Sequence, residues 1–468
     1  MRSQYNSKKP TQRGAALMVM LVILIIGASA FLVSSLNSSK VKSARQTSSS
    51  IVLAKAKDAL IGYALSYGDT HTGEMYGYLP CPDPDGTNGS NGEGSSETCG
   101  NKNVSAIGRL PWKTLGLNPL RDGEGECLWY AVSGTYKNNP KTDLMNWDNR
   151  GLLEVLDTTG NIAAQDVVAV IFSPGSAQEN QNRAPNNTAP ICGGNYTATN
   201  YLDSNGTINN GTVSSSPNVT SQFKLAGSTG QINDQILFIT RQELWNALLK
   251  RNDFIDNLKN MTREATVCLS YYGKMNGSYA SSDKRLPWAG RFLNPSDDYW
   301  TDANYDDEDG RMAGRLPYRV NTSRNATGNL ISGTSPYQLL ADGTNCPLSS
   351  NWPNYYTWWT NWKDHLYYAV SNAFEPNGGS SSCSTDACLT VNGSGQYAAV
   401  VMFAGQSLSG QSRNSTSDRL DISNYLEGRN LSNGDNTSGD SNYESGASSA
   451  GFNDILYCIN PNLSVTPC

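Results

Sequence analysis

Gly108-Arg109-Leu110-Pro111-Trp112 returns later in the chain as Gly314-Arg315-Leu316-Pro317-Tyr318. Working outward, the repetition continues in the same order. Leu128-Trp129-Tyr130-Ala131-Val132-Ser133 returns as Leu366-Tyr367-Tyr368-Ala369-Val370-Ser371. Val168-Ala169-Val170-Ile171-Phe172 returns as Ala399-Val400-Val401-Met402-Phe403, with Gly175 or Gly405 just beyond. Gln181-Asn182-Arg183 answers to Gln411-Ser412-Arg413, and Asn200-Tyr201-Leu202-Asp203 to Asn424-Tyr425-Leu426-Glu427. Asn233-Asp234-Gln235-Ile236-Leu237 answers to Asn453-Asp454-Ile455-Leu456. Each block is modest alone, but their collinearity is the signature of an internal duplication.

Both copies follow one grammar. A helix comes first, over 50–67 in one copy and about 241–272 in the other. The RLP[WY] turn follows, then an aromatic strand, a β-branched strand running into Gly, a polar loop and a last apolar strand. One helix laid on a small antiparallel sheet is an α+β unit. The expected fold is therefore α+β, with two such units in tandem.

Composition narrows the function. The chain has 468 residues, 16% charged, with a net charge of −6 and no basic block, which argues against a nucleic-acid partner. His71 and His365 are its two histidines, too few for most His-based catalysis or a His-ligated metal. Ten cysteines without a C-x-x-C pair point to disulfides and an oxidising compartment. Near-neighbour pairing gives Cys81–Cys99, Cys383–Cys388 and Cys458–Cys468 as local clips, with Cys127–Cys192 and Cys268–Cys346 closing longer loops. Spacing alone does not fix that connectivity.

Residues 15–36 carry no charge and reach the roughly 20 residues a bilayer requires. Arg2, Lys8, Lys9 and Arg13 precede them without an acid, which would hold the N-terminus in the cytoplasm. Two readings compete: a cleaved secretory signal ending at Ala28-Ser29-Ala30, or a retained single-pass helix. Retention is favoured. The apolar run continues to Leu36, and beyond Asn37 no Gly occurs before Gly62 and no Pro before Pro80. A sparse apolar stripe also continues through Val41, Leu53, Ala56, Leu60 and Ala64.

The leader Gln12-Arg13-Gly14, followed by Ala15-Ala16-Leu17 and the apolar run, resembles that of type IV prepilins. The resemblance implies cleavage between Gly14 and Ala15 by a prepilin peptidase. It further implies one long helix, first in the inner membrane and then in a filament core. The G-R-L-P turn and aromatic strand are similar to the heads of type II secretion pseudopilins. The implied organisation is a leader over 1–14, a transmembrane part over 15–36, one pilin-like head over 37–240 and a second over 241–468. Implied partners are other pilin or pseudopilin subunits and the inner membrane before assembly. The implied location is the inner membrane, then the periplasm or a cell-surface filament of a bacterium. Most pilins carry Glu at the fifth mature position, where this chain has Val19. That Glu neutralises a neighbour's terminal amine, so its absence suits a subunit at or near a tip.

Three further features bear on chemistry. Asp83 and Asp85 lie in an oxygen-rich turn of calcium type, and Asp306, Asp307 and Asp309 in an acidic loop of the second copy. Calcium is the cofactor such acids would hold, but a solvated acidic turn is the favoured reading of both loops. Trp352, Tyr355, Tyr356, Trp358, Trp359 and Trp362 form an aromatic insertion peculiar to the second copy. It reads either as a surface for a sugar or partner or as a local aromatic cluster. No G-x-S-x-G elbow and no second acid cluster support catalysis, so no catalytic residue is expected. The expected function is a structural or adhesive minor pilin or pseudopilin. The rival is a secreted or surface-anchored carbohydrate-binding or hydrolytic protein with an ordinary signal peptide.

Overall fold

A computed structural model describes residues 13–86, 92–186, 189–227, 231–275, 284–292, 304–320, 337–340, 346, 351–377, 381–383, 388–435 and 441–468, with side chains from 40 onward apart from 275 and 337. The first element, α1 (Arg13–Thr70), is one unbroken helix of 58 residues. From 40 to 51 its residues are exposed except Ser49; beyond that, Leu53, Ala56, Leu60, Ala64 and Tyr67 form one buried stripe. Their spacing of three or four residues keeps them on one helix face. Gly14 and Ala15 fall in its first turn.

The first copy then builds β1 (Ala106–Arg109), β2 (Trp129–Val132), β3 (Leu153–Leu156), β4 (Ile162–Ser173), β5 (Ser221–Lys224) and β6 (Gln235–Thr240). After it come α2 (Arg241–Leu248) and α3 (Asn252–Met275). The second copy contributes β7 (Ala313–Arg315), β8 (Arg319–Val320), β9 (Tyr337–Gln338), α4 (Trp352–Trp362), β10 (Leu366–Val370), β11 (Leu389–Val391) and β12 (Ser394–Tyr397). It ends with β13 (Ala399–Phe403), α5 (Gly428–Asn433), β14 (Asn442–Tyr443), β15 (Ile455–Ile459) and β16 (Val465–Pro467).

The repeated blocks occupy matching places. In the first sheet β2 pairs antiparallel with β1 and β4, and β4 with β6; in the second, β10 pairs with β7 and β13, and β13 with β15. Register matches too: Tyr130 lies opposite Gly108 and Ile171, and Tyr368 opposite Gly314 and Val401. A side ribbon also repeats. Strand β5 runs parallel to β3, and β14 parallel to β11. The long β4 serves both sheet and ribbon, whereas its counterpart is split into β12 and β13.

Three expectations are corrected. The tandem arrangement of one helix on a purely antiparallel sheet gives way to a mixed α/β fold with, among the described residues, five α-helices and parallel pairs in both copies. One hydrophobic core runs through α1, the first sheet, α2, α3, α4 and the second sheet. The physical reason is that α2 and α4 bury apolar faces between the copies, so neither copy closes its own core. The expected second helix is two helices, and no linker precedes it. Thr240, the last residue of β6, caps α2 by accepting from Glu243 N at 3.2 Å. The single-pass anchor, and with it the inner-membrane placement, is also corrected: among the described residues no helix is long and apolar enough to cross a membrane. In the described part of α1, Lys40, Lys42, Arg45, Lys55, Lys57 and Asp58 recur too closely for an apolar span, and the side chains of 15–36 lie outside the described residues.

The glycine of each G-R-L-P block is required by close approach of another chain segment. A Cβ on Gly108 would sit 2.5 Å from the Asp83 carbonyl oxygen, and one on Gly314 would sit 2.3 Å from that of Gly290. Those carbonyls accept from Arg109 N and Arg315 N, each at 2.9 Å, so neither can retreat without losing a bond. Gly108→Ala and Gly314→Ala are each expected to cost about 1–3 kcal/mol. Urea unfolding would show this as a lowered midpoint, and wild-type midpoints would refute the close-approach account.

Candidate functional site

Each sheet presents apolar side chains on both faces. Tyr130 and Val132 point to the helix side, while Trp129 and Ala131 point to a second cluster with Phe172, Tyr201 and Phe223. The second copy does the same, with Tyr367, Val400 and Met402 facing Tyr425 and Leu426. In each copy the polar loop folds back over this outer face, pinned by the arginine of the G-R-L-P block. The Arg109 guanidinium lies 5.1 Å from the Tyr201 ring centroid and donates to Gly193 and Asn195 carbonyls at 2.8 and 2.9 Å. Arg315 lies 4.6 Å from Tyr367 and 4.7 Å from Tyr425, and donates to the Arg419 carbonyl at 2.7 Å. Both arginines are buried and act as struts, with cation–π contact replacing water.

The densest polar cluster lies between the copies. The segment Met145–Asp148 of the first inserts against α4 and the start of β10. Asn361 Oδ1 accepts from Met145 N at 2.7 Å, and Asn146 Nδ2 donates to the Asn361 carbonyl at 2.8 Å. The Trp147 ring meets that of Trp362 edge-on at 4.2 Å. Behind them His365 is fully buried, with Nδ1 2.9 Å from Asp364 Oδ1 and Nε2 3.0 Å from Asp148 Oδ2. Trp147 Nε1 also aims at His365 Nε2, at 3.0 Å. A neutral ring accepts from Trp147 and leaves Asp148 Oδ2 without a donor; a protonated ring donates to both carboxylates. Arg413 Nη1 stands 3.6 Å from Asp148, and Arg419 Nη1 3.5 Å from Asp364.

Burial by itself would raise both carboxyls, but the neighbouring cations outweigh it. Arg413 and then His365 bring Asp148 below the ordinary carboxylate range; His365 and then Arg419 do so for Asp364. The three acids and bases lie within reach of a single metal ion. Yet both ring nitrogens already face carboxylates, and arginines surround the cluster, so the site is better matched to an ion-pair clasp than to a cation. With His365, Asp148 and Asp364 all buried, the cluster can hold two pieces of chain together but cannot meet a substrate from solvent. Beside it, a cavity of about 460 Å³ is lined by Trp147, Leu258, Phe403, Asn453 and Ile455, among others.

The calcium-type acids part company. Asp83 and Asp85 approach each other, with Glu97, closely enough to hold one ion. Asp83, however, is buried and already accepts from Gly86 N at 2.9 Å, Gly94 N at 2.6 Å and the Tyr196 hydroxyl at 2.7 Å. Burial, then this bond to Asp83, pushes the Tyr196 hydroxyl far upward, so it stays a donor. Asp306, Asp307 and Asp309 are not brought together. Asp306 takes two bonds from Arg319, both 2.7 Å; Asp307 is buried; Asp309 is exposed. Arginine takes the place expected for a cation, with Glu308 paired to Arg311. The partner of Asp83 in the second copy is Gly290, since Asp83 bridges Arg109 as Gly290 bridges Arg315.

The aromatic insertion is also corrected. It is α4, and Trp352, Trp358, Trp359 and Trp362 are buried, with Tyr355 and Tyr356 half-buried. Trp362 packs against Trp245 and Phe254, Trp358 against Phe254 and Tyr76, and Trp359 stacks on Tyr318 at 5.1 Å. Rings that fill the seam cannot present a sugar-binding face. The cysteines join as Cys81–Cys99, Cys127–Cys192, Cys268–Cys346, Cys383–Cys388 and Cys458–Cys468, with none free. No protein-family model, curated protein or solved structure matches this chain.

Sequence reasoning missed the clasp. Its signals were present: Asp364-His365 directly after the aromatic insertion, and Trp147-Asp148 outside every repeated block. Asp148→Ala, which strands His365 and Arg413, is expected to cost about 3–5 kcal/mol. Asp148 and Asp364 sit below 3.8 when folded, so their stabilisation is complete above that value and lost as pH falls beneath it. Unfolding followed from pH 7 to pH 2, roughly spanning that range, should therefore show a steep acid loss that Asp148→Asn reduces. An unchanged acid slope in that variant would rule the clasp out as the source.

Proposed function

We propose that this chain is a non-enzymatic structural or adhesive subunit of a type IV pilus or type II secretion-like filament, placed at or near its tip. The observation that carries the reading is α1. The sequence Gln12-Arg13-Gly14 is of prepilin type, and from Arg13 onward one unbroken helix lays its last turns across the first sheet. Between 40 and 51 the same helix stands exposed, with Val41 51% and Ile51 63% accessible, as a helix that packs against sister subunits would. Five disulfides suit an oxidising compartment. Val19 supports the tip, because in a shaft position a subunit with Val there would lack the means to neutralise the amine of the next one added.

The features on which a carbohydrate-binding or hydrolytic reading would rest are inside the molecule: the tryptophans of α4 and the ring of His365. Other filament subunits and a prepilin peptidase are the partners this reading names.

Two measurements test it. The mature N-terminus, determined by mass spectrometry from the native host, should be Ala15; a start at Phe31 would sink the pilin reading. Immunogold labelling should find the protein sparse and at one filament end, with filaments fewer on its deletion. Even labelling along the shaft would overturn the tip placement while leaving the filament role standing.

A further inference from the structure

Both polar loops are built around a buried pair of acids, Asp203 with Asp234 and Glu427 with Asp454. The bonds around them repeat one for one. Asp203 N donates to Asp234 Oδ2 at 2.8 Å, and Glu427 N to Asp454 Oδ2 at 3.4 Å. Asn210 Nδ2 and Asn430 Nδ2 reach the same two oxygens, each at 2.9 Å. The first acid of each pair is satisfied on both oxygens. Gln181 and Gln411 side chains donate to one at 2.8 and 3.0 Å; Asn233 N and Asn453 N donate to the other at 2.6 and 3.1 Å. One oxygen is then left over in each copy, and it is the same one. Asp234 Oδ1 and Asp454 Oδ1 are both buried without a donor.

Two ionised carboxylates in such a place repel each other, and the donorless oxygen adds an uncompensated desolvation cost. A single proton on that oxygen removes both problems. It cancels one charge and turns the donorless oxygen into a hydroxyl.

We propose that each repeat holds one proton on its acid pair, Asp203–Asp234 and Glu427–Asp454, and that these protons latch the two polar loops onto β6 and β15. Asp234 and Asp454 respond accordingly, each pushed well above the carboxylate range by burial first and by the partner acid second. Burial raises Asp203 as well. The charged groups facing the first pair are Arg183 and the Glu126 that pairs with it at 3.3 Å. Those around the second loop are Arg413, held by Asp148 of the clasp, and Glu444, whose backbone N donates to the Asn430 side chain. Arg183 and Arg413 each tie their loop to a glycine carbonyl, Gly175 at 2.8 Å and Gly405 at 2.9 Å. Since Arg413 belongs to both latch and clasp, release of the second loop should also loosen the seam.

Folded values above the unfolded 3.8 mean that this stabilisation is whole in acid and is lost as pH rises through the folded value. Hydrogen exchange on the full chain, corrected for the intrinsic pH dependence of exchange, reads this directly. With one proton per latch, protection of 200–203 and 424–427 should fall by up to about tenfold per pH unit above the midpoint. Asp234→Asn places an amide donor where the proton sits, and should abolish that dependence in the first loop alone. Asp454→Asn should do so in the second loop alone. Infrared spectra of the unmutated protein give an independent readout: a protonated-carboxyl band that disappears over the same pH range. Protection unaffected by pH together with absence of that band would overturn the proposal. So would tightening of both loops by added calcium with loss of the band, because the pairs would then hold a cation.

Discussion

Both faces of both sheets are apolar, and a helix can cover only one of them. This constraint organises the rest of the molecule. On the inner faces α1 and α3 supply the cover. On the outer faces the cover comes from the side ribbon (Leu153, Val155, Phe223; Leu389, Val391, Tyr443) and from the polar loops, which can lie on Trp129, Phe172, Tyr367 and Met402 only by bringing Tyr201, Leu202, Tyr425 and Leu426 down with them. Burying an irregular loop leaves backbone carbonyls and amides without water, and each needs a partner. The buried arginines and acid pairs supply those partners. Polarity inside this protein is thus a consequence of covering a second apolar face with loop rather than helix.

The inner faces meet a different difficulty. The two copies share one core, and at the seam aromatic rings from α2, α3, α4 and Met145–Asp148 fill the space between them. The clasp of His365 with two aspartates lies at the edge of this aromatic packing. A buried ion cluster of this sort adds little net stability over apolar residues of the same size, but it penalises any other docking of the copies, since a misplaced copy would leave charges unpaired. Rings provide the area and the clasp fixes the register. Covalent links add to this without following the repeat. Cys268–Cys346 ties α3 to the segment ahead of α4, and Cys127–Cys192 ties the start of β2 to the first polar loop.

The repeated blocks were legible in the sequence because strand pairing constrains residue type locally. Gly108 and Gly314 admit no side chain, and the alternation of Trp129-Tyr130-Ala131-Val132 is a two-faced strand written out. The apolar stripe of α1 was legible for the same reason, since a helix repeats its face within a few residues. Where the reading failed, the deciding partner lay far away in the chain. The tryptophans of α4 look like a binding surface until Trp147, Trp245 and Phe254 are set against them. Asp306 looks like a cation ligand until Arg319 reaches it. The start of α2 was legible as well: Thr240 and Glu243 spell a capping box, directly after an apolar strand.

By itself, then, the sequence determined the duplication, the relative order of the aromatic, β-branched and final apolar strands in each copy, and the part of the α1 stripe that lies on the first sheet, because these depend on neighbours a few residues apart or on patterns written twice. Tertiary structure alone decided that the copies share a core instead of standing in tandem, that the aromatic insertion is a wedge, and that His365 is held between Asp148 and Asp364. Each of those outcomes rests on a contact between residues distant in the chain. Composition and local pattern carry no record of which distant residue a buried ring or charge will meet.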